Sequence, residues 1–514
     1  MKSIFLYGPP GVGKTTVGKL VARNLNLPFQ DLDVLIENKE GRSTPQIMEQ
    51  RGEGGFRDLE SSSLKELPGN GESVIALGGG ALLRQENRAT VEQAGKVVVL
   101  MAEASTLLAH LEQSPEERPL LAGDLRGRLS SLLRDREDHY LSFPLMVRAD
   151  GRSVEDLALE VQTVCGRHHL SAMGEYDVFV QDGGLESLGS LLAGRGLQNP
   201  MIVTDEHVAK YHAQAAADSL TRAQFMVKME TLPAGEDKKN LETVNRLWRS
   251  FLEAEMDRKS TVVAMGGGVV GDMAGFAAST YMRGIKWVAV PTSLLAMVDA
   301  SVGGKTGFDL PQGKNLVGSF YPPSFVLADP QVLKTLPEAE LISGLAEVVK
   351  HGVISDPELF SLCGRGLGWV KDHLETVVTR AMAVKIKVIE QDPYEKGLRA
   401  ALNLGHTVGH ALELVSGFKL RHGEAVAIGM VVEARYAERT GRAARGLAEE
   451  IAPVLSRLGL PTRIPGDLSR EQIRQAMRVD KKKHAKTIRF ALPVLIGRVD
   501  LVDVPDLEAV LEDS

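Results

Sequence analysis

The feature that most constrains the fold is a glycine-rich string close to the start of the chain, Gly8-Pro-Pro-Gly-Val-Gly-Lys14-Thr15. It matches the pattern G-x-x-x-x-G-K-[ST] and directly follows an apolar run, Ser3 to Tyr7, which predicts a first β-strand. Such a string binds phosphate when a strand precedes it and a helix follows, because the N–H groups at the helix N-terminus then point at the anion. The string therefore predicts a parallel α/β domain that binds a nucleotide.

The rest of the chain predicts further domains. A length of 514 residues is enough for about three domains. Up to residue 165, short apolar runs alternate with amphipathic stretches, as a parallel sheet covered by helices requires. Residues 166–176 lose this periodicity and are interpreted as a linker. A second alternating α/β region, 177–325, and a region of helical patterns, 326–514, follow.

Composition and charge exclude several classes of protein. The formal net charge of -7 and the pI near 6.0 argue against nucleic-acid binding, since proteins that follow phosphates carry a basic surface. No apolar run approaches the roughly 20 residues of a membrane span, and the predicted first strand leaves no room for a signal peptide. Cys165 and Cys363 are the only cysteines, so a disulfide framework is not expected. A cytoplasmic protein without a membrane or nucleic-acid partner is expected.

The phosphate loop defines the predicted ATP site. Lys14 would reach the β- and γ-phosphates, and the Thr15 hydroxyl would ligate Mg²⁺. A glycine-rich turn with an incidental lysine is the alternative, and the flanking strand and helix argue against it. The predicted ATP-binding residues are Gly11, Val12, Gly13, Lys14, Thr15 and Thr16.

Candidate substrate groups follow the loop. Asp31 and Asp33 occupy alternate positions of D-L-D, so at a strand end they would face the same side, one near Mg²⁺ and one near a substrate hydroxyl. Further candidates are Arg57, the turn Gly78-Gly79-Gly80, Arg118 and Arg136. Each arginine taken alone is typical of a solvated surface charge. In this order, however, the residues resemble the shikimate kinase family over residues 1–165.

That resemblance implies ATP-dependent phosphorylation of the 3-hydroxyl of shikimate. Asp33, Arg57, Gly79 and Arg136 would hold shikimate, with the guanidinium groups gripping its carboxylate. Asp33 would also orient or deprotonate the hydroxyl. Arg118 would belong to a mobile lid, contact ATP and neutralise charge in the transition state.

A histidine cluster marks the C-terminal half of the chain. His406 and His410 lie one helical turn apart in G-H-T-V-G-H, and His422 follows in R-H-G-E. Two imidazoles and a carboxylate, for which Glu347 in G-L-A-E-V-V-K is a candidate, would suit a zinc ion with an open position for substrate. Half-buried, hydrogen-bonded histidines are the alternative, but three clustered histidines flanked by glycines favour the metal site.

A second glycine-rich string, Met265-Gly-Gly-Gly-Val-Val-Gly-Asp272, lies between an apolar strand and a helical pattern. It would let the pyrophosphate of a dinucleotide approach the backbone, although its spacing is not G-x-G-x-x-G. Loops that follow carry Asp299, Lys305, Lys314 and Asn315. Lysines near a metal site indicate an anionic, phosphorylated substrate.

Together these strings resemble the 3-dehydroquinate synthase family from Asp177 onward. The resemblance implies a Rossmann-like NAD-binding domain over 177–325 and a mostly α-helical, metal- and substrate-binding domain over 326–514. The implied reaction converts 3-deoxy-D-arabino-heptulosonate 7-phosphate to 3-dehydroquinate plus phosphate, with NAD regenerated in each turnover. Glu347, His406 and His422 would ligate Zn²⁺ or Co²⁺, and His410 would serve proton transfer or contact the leaving phosphate.

The resemblance also assigns further site residues. For NAD these are Asp205, Glu236, Lys239, Gly267, Gly268, Val269, Asp272, Thr292, Ser293, Asp299, Lys305 and Lys314. Active-site positions are Lys305, Lys350, Lys385, Arg399, Asn403 and His410, and the substrate or its phosphate would contact Arg283, Asn315 and Lys482. A homodimer through the synthase part is also expected.

Two other functions compete with this bifunctional enzyme. One is a small-molecule kinase fused to a metal-dependent polyol dehydrogenase, which would share the fold but would not need the set Lys305, Lys314, Lys350 and Lys385. The other is a nucleotide-driven switch that regulates its neighbour. A switch needs loops that sense the γ-phosphate, whereas the residues after the phosphate loop suit a small carboxylic acid.

Overall fold

The computed structural model describes residues 3–67, 71–113, 121, 123–395, 397–479 and 487–512. The chain divides into two compact units, Met1–His169 and Leu170–Ser514. We refer to them as the first and the second unit.

The first unit is a parallel α/β fold. Its strands are β1 (Ser3–Tyr7), β2 (Phe29–Asp31), β3 (Val74–Ala76), β4 (Gly95–Met101) and β5 (Leu145–Arg148), and its helices are α1 (Lys14–Asn24), α2 (Leu32–Glu40), α3 (Thr44–Glu66), α4 (Gln85–Ala94), α5 (Ala104–Glu112), α6 (Leu125–Leu141) and α7 (Val154–Val164). All strand pairs are parallel, in the order β2-β3-β1-β4-β5. The glycine-rich string joins β1 to α1, as the sequence predicts.

Burial on both faces explains the apolar run of β1. Ile4 and Leu6 belong to one hydrophobic core, whereas Phe5 and Tyr7 belong to another. Alternate side chains of a strand point to opposite faces of the sheet, so a central strand covered on both faces must be apolar throughout. The strand therefore holds the phosphate loop on a rigid, fully buried support.

The second unit begins with a larger sheet. Its strands are β7 (Tyr176–Val180), β8 (Gln198–Asp205), β9 (Lys228–Leu232), β10 (Ser260–Gly266), β11 (Lys286–Pro291) and β14 (Phe325–Ala328), in the order β7-β14-β11-β10-β8-β9. Strand β6 (Arg167–Leu170) spans the boundary between the two units. The helices of this part are α8 (Leu188–Gly194), α9 (Glu206–Arg222), α10 (Leu241–Glu253) and α11 (Gly268–Thr280), and β12 (Lys305–Leu310) with β13 (Gly313–Phe320) forms an antiparallel hairpin. This is the Rossmann-like architecture that was predicted.

Strand β6 lies inside the segment 166–176 that the sequence analysis interprets as a linker. His168 and Leu170 are buried at alternate positions, 2% and 1% exposed. A buried histidine in place of an apolar residue hides the alternation that reveals a strand.

The remainder of the second unit is mostly helical. It contains α12 (Glu338–Ser355), α13 (Pro357–Cys363), α14 (Leu367–Asp372), α15 (Leu374–Gln391), α16 (His406–Val415), α17 (His422–Arg439), α18 (Leu447–Arg457), α19 (Arg470–Val479) and α20 (Glu508–Leu511). A hairpin, β15 (Ile488–Leu495) with β16 (Arg498–Val504), adds an element that the helical prediction did not include. None of the helices in the described ranges combines the length and the apolarity that a membrane crossing requires.

Helices α12, α15 and α17 are buried over most of their length, yet each carries charged side chains in its interior. Glu347 and Lys350 on α12, Lys385 on α15 and Glu433 on α17 are all at most 5% exposed. Burying a charge is costly unless it is paired. These positions therefore point to a site rather than to a role in packing.

Candidate active sites

Three residues predicted to contact the nucleotide or its Mg²⁺ ion have defined contacts at the phosphate loop: Lys14, Thr15 and Asp31. The Lys14 ammonium donates hydrogen bonds to the carbonyl oxygens of Gly8 and Pro9, both at 2.9 Å. The Thr15 hydroxyl donates to Asp31 Oδ2 at 2.8 Å. A hydroxyl and a carboxylate side by side at the start of a helix are the oxygen ligands that Mg²⁺ prefers.

The D-L-D alternation predicts that Asp31 and Asp33 lie together at the end of one strand. The structure differs. Asp31 ends β2 and caps α2, accepting a hydrogen bond from the Asp33 backbone N–H at 3.2 Å. Asp33 is the second residue of that helix. The two carboxylates face different groups, because Asp31 faces Thr15 while Asp33 lies beside the Gly78 turn.

The carbonyl oxygen of Gly79 is the centre of the predicted acceptor pocket. It accepts hydrogen bonds from Arg136 Nη1 at 3.0 Å, from the Tyr140 hydroxyl at 2.7 Å and from the Tyr7 hydroxyl at 3.4 Å. Burial raises the pKa of both tyrosines, so they remain neutral donors. Arg136 is thus fixed beside Gly79. Both belong to the four residues predicted to hold shikimate.

Arg57 is fixed by carboxylates next to the same turn. Its Nη1 lies 2.6 Å from Glu60 Oε2, and its Nη2 lies 2.9 Å from Glu53 Oε1. A Cβ at Gly80 would lie 2.3 Å from Arg57 Nη2, and one at Gly78 would lie 2.9 Å from Glu60 Oε1. Gly78 and Gly80 therefore have no room for a larger residue, because the side chains of Glu60 and Arg57 occupy the space that a Cβ would need.

Glu60 is fully buried, and desolvation raises its pKa to about 7 although the Arg57 guanidinium opposes this shift. The sequence analysis does not single out Glu60. Its position three residues after Arg57, one helical turn away, was the available signal. Arg118, predicted for the lid, lies outside the described residues.

The second glycine-rich string lines a cavity at the C-terminal end of β10. Gly267 caps α11, and residues of this cavity include Gly266, Gly267, Gly268, Gly271, Asp272, Ala300, Ser301 and Lys305. The Thr292 N–H donates to Gly266 O at 2.9 Å, and a Cβ at Gly267 would lie 3.6 Å from Ser293 Oγ. Open backbone at a helix N-terminus fits the pyrophosphate of a dinucleotide.

Several polar residues predicted for NAD pair with one another, and one such group reaches the cavity through Asp272. Lys239 Nζ donates to Asp272 Oδ2 at 2.7 Å and to Asn315 Oδ1 at 2.6 Å. Lys314 Nζ lies 3.6 Å from Glu236 Oε1. Asp205, at the end of β8, accepts from the backbone N–H groups of residues 207 and 208 and caps α9. Val269 follows Gly268 in the first turn of α11.

The three residues predicted as metal ligands converge. His422 Nε2 lies 3.3 Å and His406 Nε2 lies 3.5 Å from Glu347 Oε1. One ligand atom from each lies within 4.8 Å of the others. Among the described residues neither carboxylate oxygen of Glu347 has a hydrogen-bond partner, although the Lys350 ammonium forms an ion pair with it. A buried carboxylate that faces two imidazole nitrogens fits a divalent metal ion.

Backbone geometry places the His406 ring. Gly405, with φ of 78°, precedes α16, and its N–H donates to the buried Glu433 Oε2 at 2.6 Å. His406 Nδ1 lies 3.1 Å from Leu404 O. Burial, reinforced by the Lys350 ammonium, lowers the pKa of His406 to about 3, so the ring is neutral and its Nε2 can bind a metal.

Buried ion pairs include or border the predicted metal ligands. Burial alone would raise the pKa of Glu347 and of Asp299, but nearby ammonium groups, Lys350 for the former and Lys385 for the latter, outweigh burial and lower it. Lys385 forms an ion pair with Asp299. The two carboxylates therefore remain ionised inside the protein.

Arg399 and Lys305, two predicted cations, share one partner that the sequence analysis does not include. Arg399 Nε lies 3.3 Å from Glu395 Oε1, and Lys305 pairs with the same oxygen. Arg399 Nη1 also donates to Pro393 O at 2.6 Å. Glu395 has no periodic pattern around it, so only the folded chain reveals its place.

Other predicted residues lie further from these groups. His410 is exposed, with its ring centroid 5.2 Å from that of His406 and 6.3 Å from that of His422. Asn403 ends a short 3-10 helix and is exposed. Arg283 is exposed with φ of 68°, and no hydrogen bond or ion pair within the described ranges joins it to the other site residues. Lys482 lies outside the described residues.

Family models match most of the chain. A model described as 3-dehydroquinate synthase N-terminal matches residues 229–343, one described as 3-dehydroquinate synthase C-terminal matches 344–483, and one described as shikimate kinase matches 10–165. The 3-dehydroquinate synthase of Symbiobacterium thermophilum is 47% identical over 339 residues, which cover 65% of this chain and 94% of that protein.

Solved structures resemble the second unit. A 2-deoxy-scyllo-inosose synthase complexed with carbaglucose-6-phosphate, NAD⁺ and Co²⁺ is 27% identical with a TM-score of 0.61, covering 66% of this chain and 96% of that one. The 2-epi-5-epi-valiolone synthase of Streptomyces hygroscopicus subsp. jinggangensis, with NAD⁺ and Zn²⁺ bound, is 29% identical with a TM-score of 0.60, covering 65% and 94%.

Proposed function

The chain belongs to the 3-dehydroquinate synthase family and carries a shikimate kinase domain before the synthase region, and on this premise we propose that it catalyses both reactions. The kinase phosphorylates the 3-hydroxyl of shikimate with ATP and Mg²⁺. The synthase converts 3-deoxy-D-arabino-heptulosonate 7-phosphate to 3-dehydroquinate and phosphate with NAD and Zn²⁺ or Co²⁺.

In the kinase, two groups of residues divide the work. Backbone N–H groups of residues 11–16 with Lys14 hold the ATP phosphates, and Thr15 with Asp31 provides oxygen atoms for Mg²⁺. Arg57 and Arg136, fixed at the Gly79 turn, bind the shikimate carboxylate, and Asp33 orients the hydroxyl. Phosphoryl transfer depends mainly on such positioning and charge stabilisation. We assign Arg118 to the same charge-stabilising role.

In the synthase, Glu347, His406 and His422 would hold the metal ion, and the Gly267–Asp272 segment would hold NAD. When bound, the metal supplies Lewis acidity at the substrate hydroxyl, and NAD supplies a reversible hydride acceptor. Lys350 and Lys385 sit at the carboxylates beside this position, where they hold positive charge against a buried anionic substrate.

The substrate phosphate would meet a second group of cations. Lys305 and Arg399 lie around Glu395, and we assign them with Arg283, Asn315 and Lys482 to phosphate binding. We assign His410, whose ring centroid lies 5.2 Å from that of His406, to accept or donate the proton that accompanies phosphate loss or to contact the leaving phosphate.

A single observation carries the synthase function. Four cations of the synthase part pair with carboxylates: Lys350 with Glu347, Lys385 with Asp299, and Lys305 and Arg399 with Glu395. Lys350, Lys385 and Arg399 are at most 5% exposed. A polyol dehydrogenase acts on an uncharged substrate and has no need of buried cations. The relatives favour the synthase as well.

Counting NAD against phosphate tests the proposal. Purified protein with Zn²⁺, the heptulosonate phosphate and a small amount of NAD should release inorganic phosphate over many turnovers without matching growth of NADH absorbance. A dehydrogenase would instead form one NADH per turnover and oxidise glycerol. Stoichiometric NADH without phosphate release would exclude the synthase function but not the metal site.

We also propose that the synthase part forms a homodimer and that the protein works in the cytoplasm. Leu316 and Phe320 on the β12–β13 hairpin are 60% and 50% exposed, an apolar surface of the kind that subunit contacts cover. The chain has only two cysteines, Cys165 and Cys363, and both are buried, which fits a reducing compartment. Sedimentation of the Leu316→Asp variant as a monomer, against a wild-type dimer, would support the interface.

A further inference from the structure

Each of the two proposed histidine ligands has a contact at its Nδ1 atom, and the two contacts differ. Nδ1 of His406 lies 3.1 Å from a backbone carbonyl, that of Leu404. Nδ1 of His422 lies 3.3 Å from a carboxylate, Glu413 Oε1. In both rings the opposite nitrogen, Nε2, faces Glu347. Each imidazole is therefore oriented through the nitrogen that does not face the metal position.

The fold makes the carboxylate contact possible. Glu413 lies on α16, and His422 is the first residue of α17, which packs against α16. The Glu413 side chain is only 14% exposed. A carboxylate that has lost most of its water needs a hydrogen-bond donor, and the Nδ1–H of His422 supplies one.

We propose that Glu413 is a positioning residue of the metal site, which accepts a hydrogen bond from His422 Nδ1–H and so directs the Nε2 lone pair of that ring at the metal. The inference rests on the ligand set proposed above. Carboxylates behind metal-bound histidines fix the tautomer and raise the basicity of the ligand, and their loss costs about 10–100-fold in metal affinity or activity.

A second arrangement is geometrically available. His410, Glu413 and His422 also offer three ligand atoms within 4.8 Å of one another. An ion there would make Glu413 a direct ligand and would require His422 to bridge two metals. Because His410 is exposed and the carboxylate already faces an N–H donor, one ion with Glu413 behind its ligand is the arrangement that the geometry favours.

Zinc affinity of full-length variants, measured by competition with a chromogenic chelator, tests the proposal. Glu413→Ala should weaken zinc binding about 10–100-fold and change the visible absorption spectrum of the Co²⁺-substituted protein. Glu413→Gln keeps an acceptor oxygen at the same reach and should recover most of the affinity. Glu424→Gln, two residues after His422 with its carboxylate bound to the Arg421 N–H, is the matched control and should bind zinc normally.

Three outcomes would overturn it. If Glu413→Ala binds zinc with wild-type affinity and its Co²⁺ spectrum is unchanged, Glu413 has no role in the metal site. If the wild-type chain binds two zinc ions and Glu413→Ala binds one, Glu413 is itself a ligand. If Glu413→Ala does not fold, Glu413→Asp replaces it, since the shorter side chain keeps the charge but loses the reach. Aspartate that binds zinc as well as or better than glutamine would show that charge, not positioning, matters.

Failure of the underlying ligand set is separately visible. Zinc retained at full affinity by His406→Ala would contradict the proposed ligands. Zinc lost in His406→Ala but retained in Glu413→Ala would contradict the role of Glu413 alone.

Discussion

Apart from Arg57, which pairs with Glu53 and Glu60, the two units hold the cations of their sites in opposite ways. In the first unit, the Lys14 ammonium and the Arg136 guanidinium donate to backbone carbonyls of glycine-rich turns next to solvent. In the second unit, Glu347 with Lys350 and Asp299 with Lys385 form ion pairs carried mainly by long, buried helices. A site of the first kind can be recognised from one short sequence motif, whereas a site of the second kind depends on packing between distant segments of the chain.

The difference has energetic consequences. Removing one member of a buried ion pair leaves an unpaired charge and costs about 3–5 kcal/mol, whereas a group that bonds backbone oxygens near water leaves little behind. Variants of the first site should therefore lose activity with little loss of stability, and variants of the second should lose both.

Lys14→Ala should produce the largest effect on one activity alone. Without the lysine, the transferring phosphoryl group loses its main cation, and kinase activity should fall about 1000-fold or more. Synthase activity and thermal stability should remain at wild-type values, because the loop belongs to the first unit. Assays of both reactions on one preparation measure this.

Lys19→Ala, an exposed lysine of the same helix, serves as the control. Equal loss of both activities in a folded Lys14→Ala protein would contradict the independence of the two units.

His406→Ala should produce the complementary loss. Two remaining ligands hold a metal ion much more weakly than three, so zinc affinity and synthase activity should each fall more than about 100-fold while the kinase continues. Zinc content after gel filtration and both activities give the measurement. His373→Ala, an exposed histidine stacked on Trp369, is the control.

The contrast between local and distributed sites also explains what the sequence could predict. The phosphate loop and its strand and helix follow from one string, and the fold class and both activities follow from the family resemblances. Asp33 lies beside the Gly78 turn, but on a helix rather than at the strand end that the D-L-D alternation predicts, because the helix begins one residue after Asp31.

Residues that act across segments escaped the sequence analysis. Glu395 meets Lys305 from a distant loop, and Glu413 meets His422 across two helices. The hairpin β15–β16 was missed because the region was interpreted from its helical patterns alone. Domain boundaries and site roles stay predictions until the variants are measured.

Gly405→Ala and Gly41→Ala sharpen the comparison at the level of backbone. Both glycines have positive φ, 78° and 66°, but a Cβ at Gly405 would lie 2.6 Å from Val426 O, whereas one at Gly41 meets nothing within 4 Å. Strain alone costs about 1–2 kcal/mol, and forced overpacking adds about 1–3 kcal/mol. The Gly405 variant should lose about 3 kcal/mol of unfolding free energy and weaken zinc binding, since His406 follows.

The Gly41 variant should lose only about 1 kcal/mol. Urea unfolding followed through the loss of each activity separates the two effects. Equal destabilisation by both substitutions would show that the backbone before His406 is no more tightly packed than the exposed end of α2.

The smallest predicted effect concerns Glu60, a buried carboxylate beside Arg57 in the kinase site. Desolvation raises the pKa of Glu60 to about 7, above the ordinary 4.5, so the folded chain keeps a proton that the unfolded chain releases between these values. Unfolding free energy of the first unit should therefore fall as pH rises from about 4.5 to 7, by up to about 3 kcal/mol, and stay flat above it. Ionised Glu60 also holds Arg57, so the KM for shikimate should change a few-fold across pH 7.

Glu60→Gln should abolish both dependences and leave the pH profile of the synthase unchanged. A wild-type kinase whose stability and KM do not change between pH 5 and 8 would show that Glu60 is ionised throughout, and that the first site, like the second, keeps its buried charge by pairing.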